Sequence, residues 1–162
     1  MKNLMALVAA TFILAACAST PKSAAPAQAE AKSPAQAQTD AQKLADELNS
    51  LKSKSVYFDF DKSVVKPEYQ GVIKQQTAFI SAHGNDVVTL EGNCDERGSQ
   101  EYNLALGQRR ADAVRKQLEA EGVKAGQIKT VSFGEEKPRL TCHAEKCWKE
   151  NRRVDFDHKI GQ

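Results

Sequence analysis

The chain has 162 residues, 41% of them hydrophobic and 27% charged, with 23 Lys and Arg against 21 Asp and Glu for a formal net charge of +2. Charges this nearly balanced and interleaved exclude a basic stripe of the kind that grips nucleic acid. Beyond Ser53 about a hundred residues remain, enough for one compact domain and no more.

The first segment, MKNLMALVAATFILAACAST, carries one early charge, Lys2, and then an uncharged, mostly apolar stretch from Leu4 to Ala16. That stretch is too short to cross a bilayer as a stable helix and has the layout of a secretory signal. Its end, Leu14-Ala15-Ala16-Cys17, resembles the lipobox of bacterial lipoproteins. The resemblance implies a signal peptide over residues 1–16, cut before Cys17, and acyl chains such as palmitate on Cys17. Each buried methylene of such a chain adds about 0.8 kcal/mol of membrane affinity. Ala18 and Ser19 follow, where an Asp would resemble the inner-membrane retention signal. The expected address is therefore the outer membrane, lipid-anchored, with the domain facing the periplasm. An ordinary A-x-A cleavage site with an incidental Cys17 is the alternative.

Residues 17–38, after Cys17 itself, are mostly Ala, Pro, Gln, Ser and Lys with no large apolar side chain. Nothing there can be buried to offset ordering entropy, so this stretch reads as a disordered tether. Over 39–53 the spacing of Leu44, Leu48 and Leu51 predicts a short amphipathic helix with Asp40 near its start.

The remaining residues, 54–162, read as the globular domain. SVYFDF alternates as a strand with Val56, Phe58 and Phe60 on one side. Pro67 opens a helix as a favoured first helical residue, with Tyr69, Val72, Ile73, Phe79 and Ile80 as its apolar stripe, and His83-Gly84-Asn85 ends it. DVVTLEG is a buried strand. A second helix follows, capped by Ser99, with Leu104, Gly107, Ala111, Val114 and Leu118 on one face and Gly122 as its stop. IKTVSFG and NRRVDFDHKI complete the strands, the last alternating Val154 and Phe156 against charged neighbours. Strands alternating with helices over this length predict an α+β domain: a two-layer sandwich whose helices cover one face of a mixed sheet. Arg109, Arg110 and Arg115, near Glu101, Asp112 and Glu119, read as solvated ion pairs on an exposed helix face, and His83 and His158 as exposed.

The segments VYFDFDKSVV, EGNCDERGSQEYNLALGQRRADAV, VSFGEEKP and NRRVDF, in this order and spacing, resemble the OmpA-like peptidoglycan-binding domain family. Lipobox and tether give the whole chain the layout of that family's lipid-anchored branch in the Tol-Pal system. The resemblance implies a β-α-β-α-β-β fold, no enzymatic activity and no cofactor. Its implied ligand is the diaminopimelate side chain of the peptidoglycan stem, whose free end bears an ammonium and a carboxylate on one carbon. Residues matching the family's ligand pair are Asp95, to accept from the ammonium, and Arg110, to take the carboxylate bidentately. Phe60, Asp61 and Leu106 match the rest of the site. Asn151 and Arg152 read as braces for the last strand. Glu96 and Arg97 have no evident place in a zwitterion pocket and are candidates for contact with the periplasmic β-propeller partner of the Tol system.

Of the four cysteines, Cys142 and Cys147 flank HAEK in a polar loop before Trp148, so a local disulfide is the first expectation, with pairing of either to Cys94 left open. Cys94 otherwise reads as a small filler. Zinc held by Cys94, Cys142, His143 and Cys147 is disfavoured, because C-x4-C with an adjacent His is not a standard ligand pattern. An enzyme using Cys94 to cut peptide stems is disfavoured too, because its neighbour Asp95 opposes thiolate formation. A purely structural outer-membrane protein is the remaining alternative.

Overall fold

A computed structural model describes residues 34–161. Cys17, the signal-like segment and most of the expected tether lie outside the described residues. The described chain belongs to one compact unit. Its elements are α1 (Pro34–Lys52), β1 (Val56–Tyr57), α2 (Gln70–Ala82), β2 (Asp86–Asn93), α3 (Gln100–Ala120), β3 (Ile128–Gly134), α4 (Glu145–Asn151) and β4 (Arg153–Ile160). The strands form one mixed sheet in the order β1-β4-β2-β3. β3 runs parallel to β2, while β4 is antiparallel to both β2 and β1. This is the α+β arrangement that the alternation predicts.

The inner face follows from period-two alternation. Val88, Leu90 and Gly92 stand opposite His158, Phe156 and Val154 in the β2–β4 register. The side chains of Val88, Leu90, Phe156 and Val154 meet Ile73 and Ile80 of α2 and Ala111, Val114 and Leu118 of α3 in a single core. Two glycines let α3 approach the sheet. A Cβ on Gly92 would lie 2.0 Å from the Gly107 carbonyl oxygen, and one on Gly107 would lie 2.3 Å from Ser132 Oγ. Backbone-to-backbone packing at this point brings the next turn of α3, with Arg110, against the end of β2.

Several expectations are corrected. α1 begins at Pro34 rather than Thr39, because Pro suits the first turn and the Ala and Gln that follow favour a helix. A 3-10 turn over Pro67–Tyr69 precedes α2, so Pro67 opens a turn and not the α-helix itself. β1 ends at Tyr57; after Phe58 the chain turns, with Lys62 N–H donating to Asp59 C=O and Asp61 at φ 57°. The turn swings Phe60 out to 55% exposure, away from buried Val56 and Phe58. On α3 the buried stripe is Leu106, Gly107, Arg110, Ala111, Val114 and Leu118, while Leu104 is half exposed. Arg110 is thus not on a solvated face. α4 was expected to be part of a polar loop; the sequence gives no periodic signal over so few residues.

His158 is buried, not exposed. Its Nδ1 lies 2.7 Å from Asp86 Oδ2 and its Nε2 lies 2.8 Å from Gln76 Oε1, while Gln76 Nε2 donates to the Leu51 carbonyl. Side-chain oxygens of Asp86 and Gln76 thus face the two ring nitrogens. One buried polar chain therefore ties β4, β2, α2 and α1 together.

Candidate functional site

The charged turn after β2 is held from three sides. Cys94 N–H donates to the Gly134 carbonyl at the end of β3. Asn103 of α3, almost fully buried, sends its Nδ2 to the carbonyls of Asp95 and Arg97 and to Glu135. Gly98, at φ +118°, allows the reversal, and Ser99 Oγ caps α3 by accepting from Tyr102 N–H. The loop is therefore a fixed platform, and Asn103 is a positioning residue that the sequence reading missed.

An open cavity of about 200 Å³ sits over this platform, with Phe60, Asp61, Asp95, Leu106 and Arg110 among its lining residues. All five residues expected from the family resemblance thus meet in one place. Arg97, Tyr102 and Cys94 join them. The Tyr102 hydroxyl donates to Asp61, fixing that residue in its left-handed conformation at the rim.

Arg110 is fully buried, yet no carboxylate among the described residues lies within ion-pair distance of it. Its Nε donates to the Lys62 carbonyl at 2.8 Å, one terminal nitrogen to Asn93 C=O at 2.8 Å and to Cys94 Sγ at 3.4 Å, and the other to Asp59 C=O at 3.2 Å. Four of the five guanidinium N–H groups are engaged this way. This corrects the expected bidentate grip on a ligand carboxylate, since the fork is largely spent on the protein's own turn and strand end. What it offers a guest is one remaining N–H and a buried, unneutralised positive charge. Burial lowers its pKa, but a guanidinium in a protein stays charged.

Asp95 is nearly buried and its carboxylate is occupied. Arg97 spans both oxygens, Nε to Oδ1 at 3.0 Å and a terminal nitrogen to Oδ2 at 2.7 Å; the Arg97 backbone N–H adds a third bond. Arg152 reaches Oδ2 at 3.2 Å from the other side, and also bonds Phe58 C=O and Glu145. Burial by itself raises the Asp95 pKa, but the bonds from Arg97 and Arg152 outweigh it and hold the carboxyl below the ordinary range. A depressed carboxyl contributes stability above the unfolded value and loses it as pH falls through the folded one. The unfolding midpoint should therefore drop as pH goes below about 4, and Asp95→Asn should flatten that drop in thermal melts.

Arg152 braces as expected, and Asn151 does likewise, its Oδ1 accepting from the N–H groups of Arg139 and Leu140. Cys142 is bonded to Cys147, and Cys94 is a buried free thiol. The disulfide removes two of the zinc reading's ligands. Burial, the largest influence, pushes the Cys94 thiol up to about 11 despite nearby Arg110, so it is a poor nucleophile. Glu96 and Arg97 are engaged at this site. Glu96 accepts from Trp148 Nε1 at 2.8 Å and lies 2.7 Å from His143 Nδ1. The only signal for Trp148 and His143 was their place beside the cysteine pair.

The OmpA family pattern matches residues 57–152. The chain belongs to the OmpA family. It is 52% identical over 100 residues to the peptidoglycan-associated lipoprotein of Pasteurella multocida, an alignment covering 62% of this chain and 67% of that one. To the protein of the same name from Haemophilus influenzae it is 49% identical over 100 residues, covering 62% and 65%. The crystal structure of the peptidoglycan-associated lipoprotein from Burkholderia pseudomallei matches with a TM-score of 0.66 and 46% identity, over 68% of this chain and 95% of that one. The C-terminal domain of Helicobacter pylori MotB shares the fold at 18% identity, TM-score 0.62, over 67% and 85%. The chain spans 56% to 67% of the length of the first three curated relatives it matches.

Proposed function

We propose that this protein is a non-catalytic outer-membrane lipoprotein that holds the diaminopimelate end of a peptidoglycan stem and so links membrane to wall. Its place is within the Tol-Pal system of envelope integrity and cell division. The observation that carries this reading is the pairing, in one open cavity, of a buried guanidinium lacking a carboxylate with a buried carboxylate held by a partly exposed cation. A buried unpaired charge is costly in isolation. A ligand carboxylate near Arg110 supplies the missing anion, and a ligand ammonium has a carboxylate to meet at Asp95. Phe60, half exposed at the rim, offers an apolar wall for the ligand's methylene chain.

Lipid on Cys17 and the segment after it would act as a leash. Tethering raises the local concentration of the domain at the wall, so a modest intrinsic affinity suffices. Overlap of this site with the β-propeller partner's surface would make the two compete.

The test is a titration of soluble Cys17→Ser protein with stem peptides carrying either diaminopimelate or lysine. Lysine keeps an ammonium and lacks the second carboxylate. Binding of the diaminopimelate peptide at least about tenfold tighter, roughly 1.4 kcal/mol, is expected. Equal affinities would contradict the reading. Binding of neither, with no co-sedimentation with sacculi, would favour a purely structural role, and release of soluble wall fragments would favour an enzyme.

A further inference from the structure

Asp95 is not vacant in the ligand-free protein. The Arg97 fork covers both of its oxygens, and the Arg97 guanidinium carbon lies 4.1 Å from the ring centroids of both Phe60 and Trp148. A planar cation between two aromatic faces, bonded side-on to a carboxylate through Nε and a terminal nitrogen, occupies the position a ligand cation would seek. The two cations on Asp95 differ in exposure. The Arg152 side chain is 7% exposed and anchored inward to the Phe58 carbonyl, whereas that of Arg97 is 32% exposed and enters from outside. Arg152 is a permanent partner and Arg97 an exchangeable one.

An alternative partner for Arg97 is already at hand, because Glu145 Oε2 lies 3.7 Å from its terminal nitrogen. If Arg97 leaves, Asp95 keeps Arg152 and the Arg97 backbone N–H. The clamp that keeps Arg97 in place is built from the disulfide segment. Trp148 sits on α4 directly after Cys147, and its Nε1 is pinned by Glu96, which also meets His143 within the Cys142–Cys147 ring.

We propose that Arg97 is a specificity-determining latch that a ligand must displace from Asp95. This rests on the wall-binding reading above and names how that same site selects its ligand. A monocation gains little by replacing a stacked, two-point guanidinium, because one charged partner is exchanged for another. A ligand that brings an anion to Arg110 together with the cation gains a second contact that Arg97 cannot match. The displaced guanidinium stays beside the site at Glu145, where its charge opposes a lone cation more than a neutral pair of charges. The latch thus turns a general cation site into one for a two-signed group.

Trp148, the sole tryptophan, reports the latch directly. The Cys17→Ser protein, with or without Arg97→Gln, is titrated with the diaminopimelate and lysine stem peptides, following binding by calorimetry and Trp148 emission in parallel. In the parent, emission should shift with the calorimetric midpoint of the diaminopimelate peptide. In Arg97→Gln it should start near the ligand-bound value and stay there. Arg97→Gln should bind both peptides several-fold tighter, and the lysine peptide should gain more, so that the ratio between them shrinks at least threefold. Arg97→Lys, which keeps the charge and loses the fork, should fall between. A loss of diaminopimelate affinity in Arg97→Gln, with melting unchanged, would overturn the latch and make Arg97 a ligand contact. Saturation of the parent without any emission change would overturn it while leaving wall binding intact. A parent that binds neither peptide would overturn both.

Discussion

Arg110→Ala is expected to abolish co-sedimentation with purified cell-wall sacculi and, separately, to lower folding stability by about 3–5 kcal/mol. The second effect follows from what the guanidinium holds. The carbonyls of Asp59, Lys62 and Asn93 all lose a guanidinium donor. Asp59 keeps the Lys62 N–H, while Asn93, buried at the end of β2, and Lys62 lose theirs, at about 1–3 kcal/mol for each carbonyl left unpaired. The turn after β1, which carries Phe60 and Asp61 to the rim, is fastened to α3 by those bonds. Loss of binding in this variant alone therefore does not separate recognition from local unfolding. Arg110→Lys keeps a charge in place while giving up the multiple, fixed donors. It should remain folded by thermal melt and bind the diaminopimelate peptide more than about tenfold weaker, the loss of a charge-assisted contact. A folded Arg110→Lys protein with parental affinity would show that the buried charge is not what the ligand senses.

His158→Leu is expected to have as large an effect on stability and none on recognition. Asp86 and His158 are both fully buried side chains 2.7 Å apart, and Asp86 Oδ1 has no partner. Removing the imidazole leaves both Asp86 carboxyl oxygens and Gln76 Oε1 unpartnered in the core, a loss of about 3–5 kcal/mol. Total stabilities of such domains are about 5–15 kcal/mol, so the denaturation midpoint should fall steeply. The pair stands at the start of β2 and the site at its end, seven residues along, or about 23 Å at 3.3 Å per residue. Wall binding should accordingly persist at temperatures where the variant is folded. The double variant Asp86→Leu with His158→Leu should recover part of the loss, because no buried charge is then stranded. Equal melting of parent and His158→Leu would remove this buried chain from the stability account.

These two residues also show what a sequence makes legible. The sheet strands β2, β3 and β4 and the helices α2 and α3 follow from apolar periodicity, and the structure places them as expected. Arg110 lies between Gly107 and Val114 on the same stripe as Leu106, Ala111 and Leu118; the periodic signal was there, but a charged side chain reads as solvated until its acceptors are known. Those acceptors are carbonyls from a turn about fifty residues upstream, which periodicity cannot bring near. Phe60 continued the alternation of Val56 and Phe58, and only the turn at Asp59–Lys62 reverses its direction. His158 continued the inward side of β4 beside Val154 and Phe156, yet polarity argued for solvent. α4 spans only Glu145–Asn151 and carries no apolar repeat, so the clamp of Trp148 over Arg97 could be learned only from the folded chain. Asp95 and Arg97, two residues apart, gave no hint that one covers the other.

The most direct test of the zwitterion account is a crystal structure of the protein with a diaminopimelate-bearing stem peptide. The predicted result places the ligand carboxylate beside Arg110 and its ammonium on Asp95, with Arg97 moved toward Glu145. A peptide bound elsewhere at saturation, or one whose charged end points to solvent while Arg97 stays on Asp95, would contradict it.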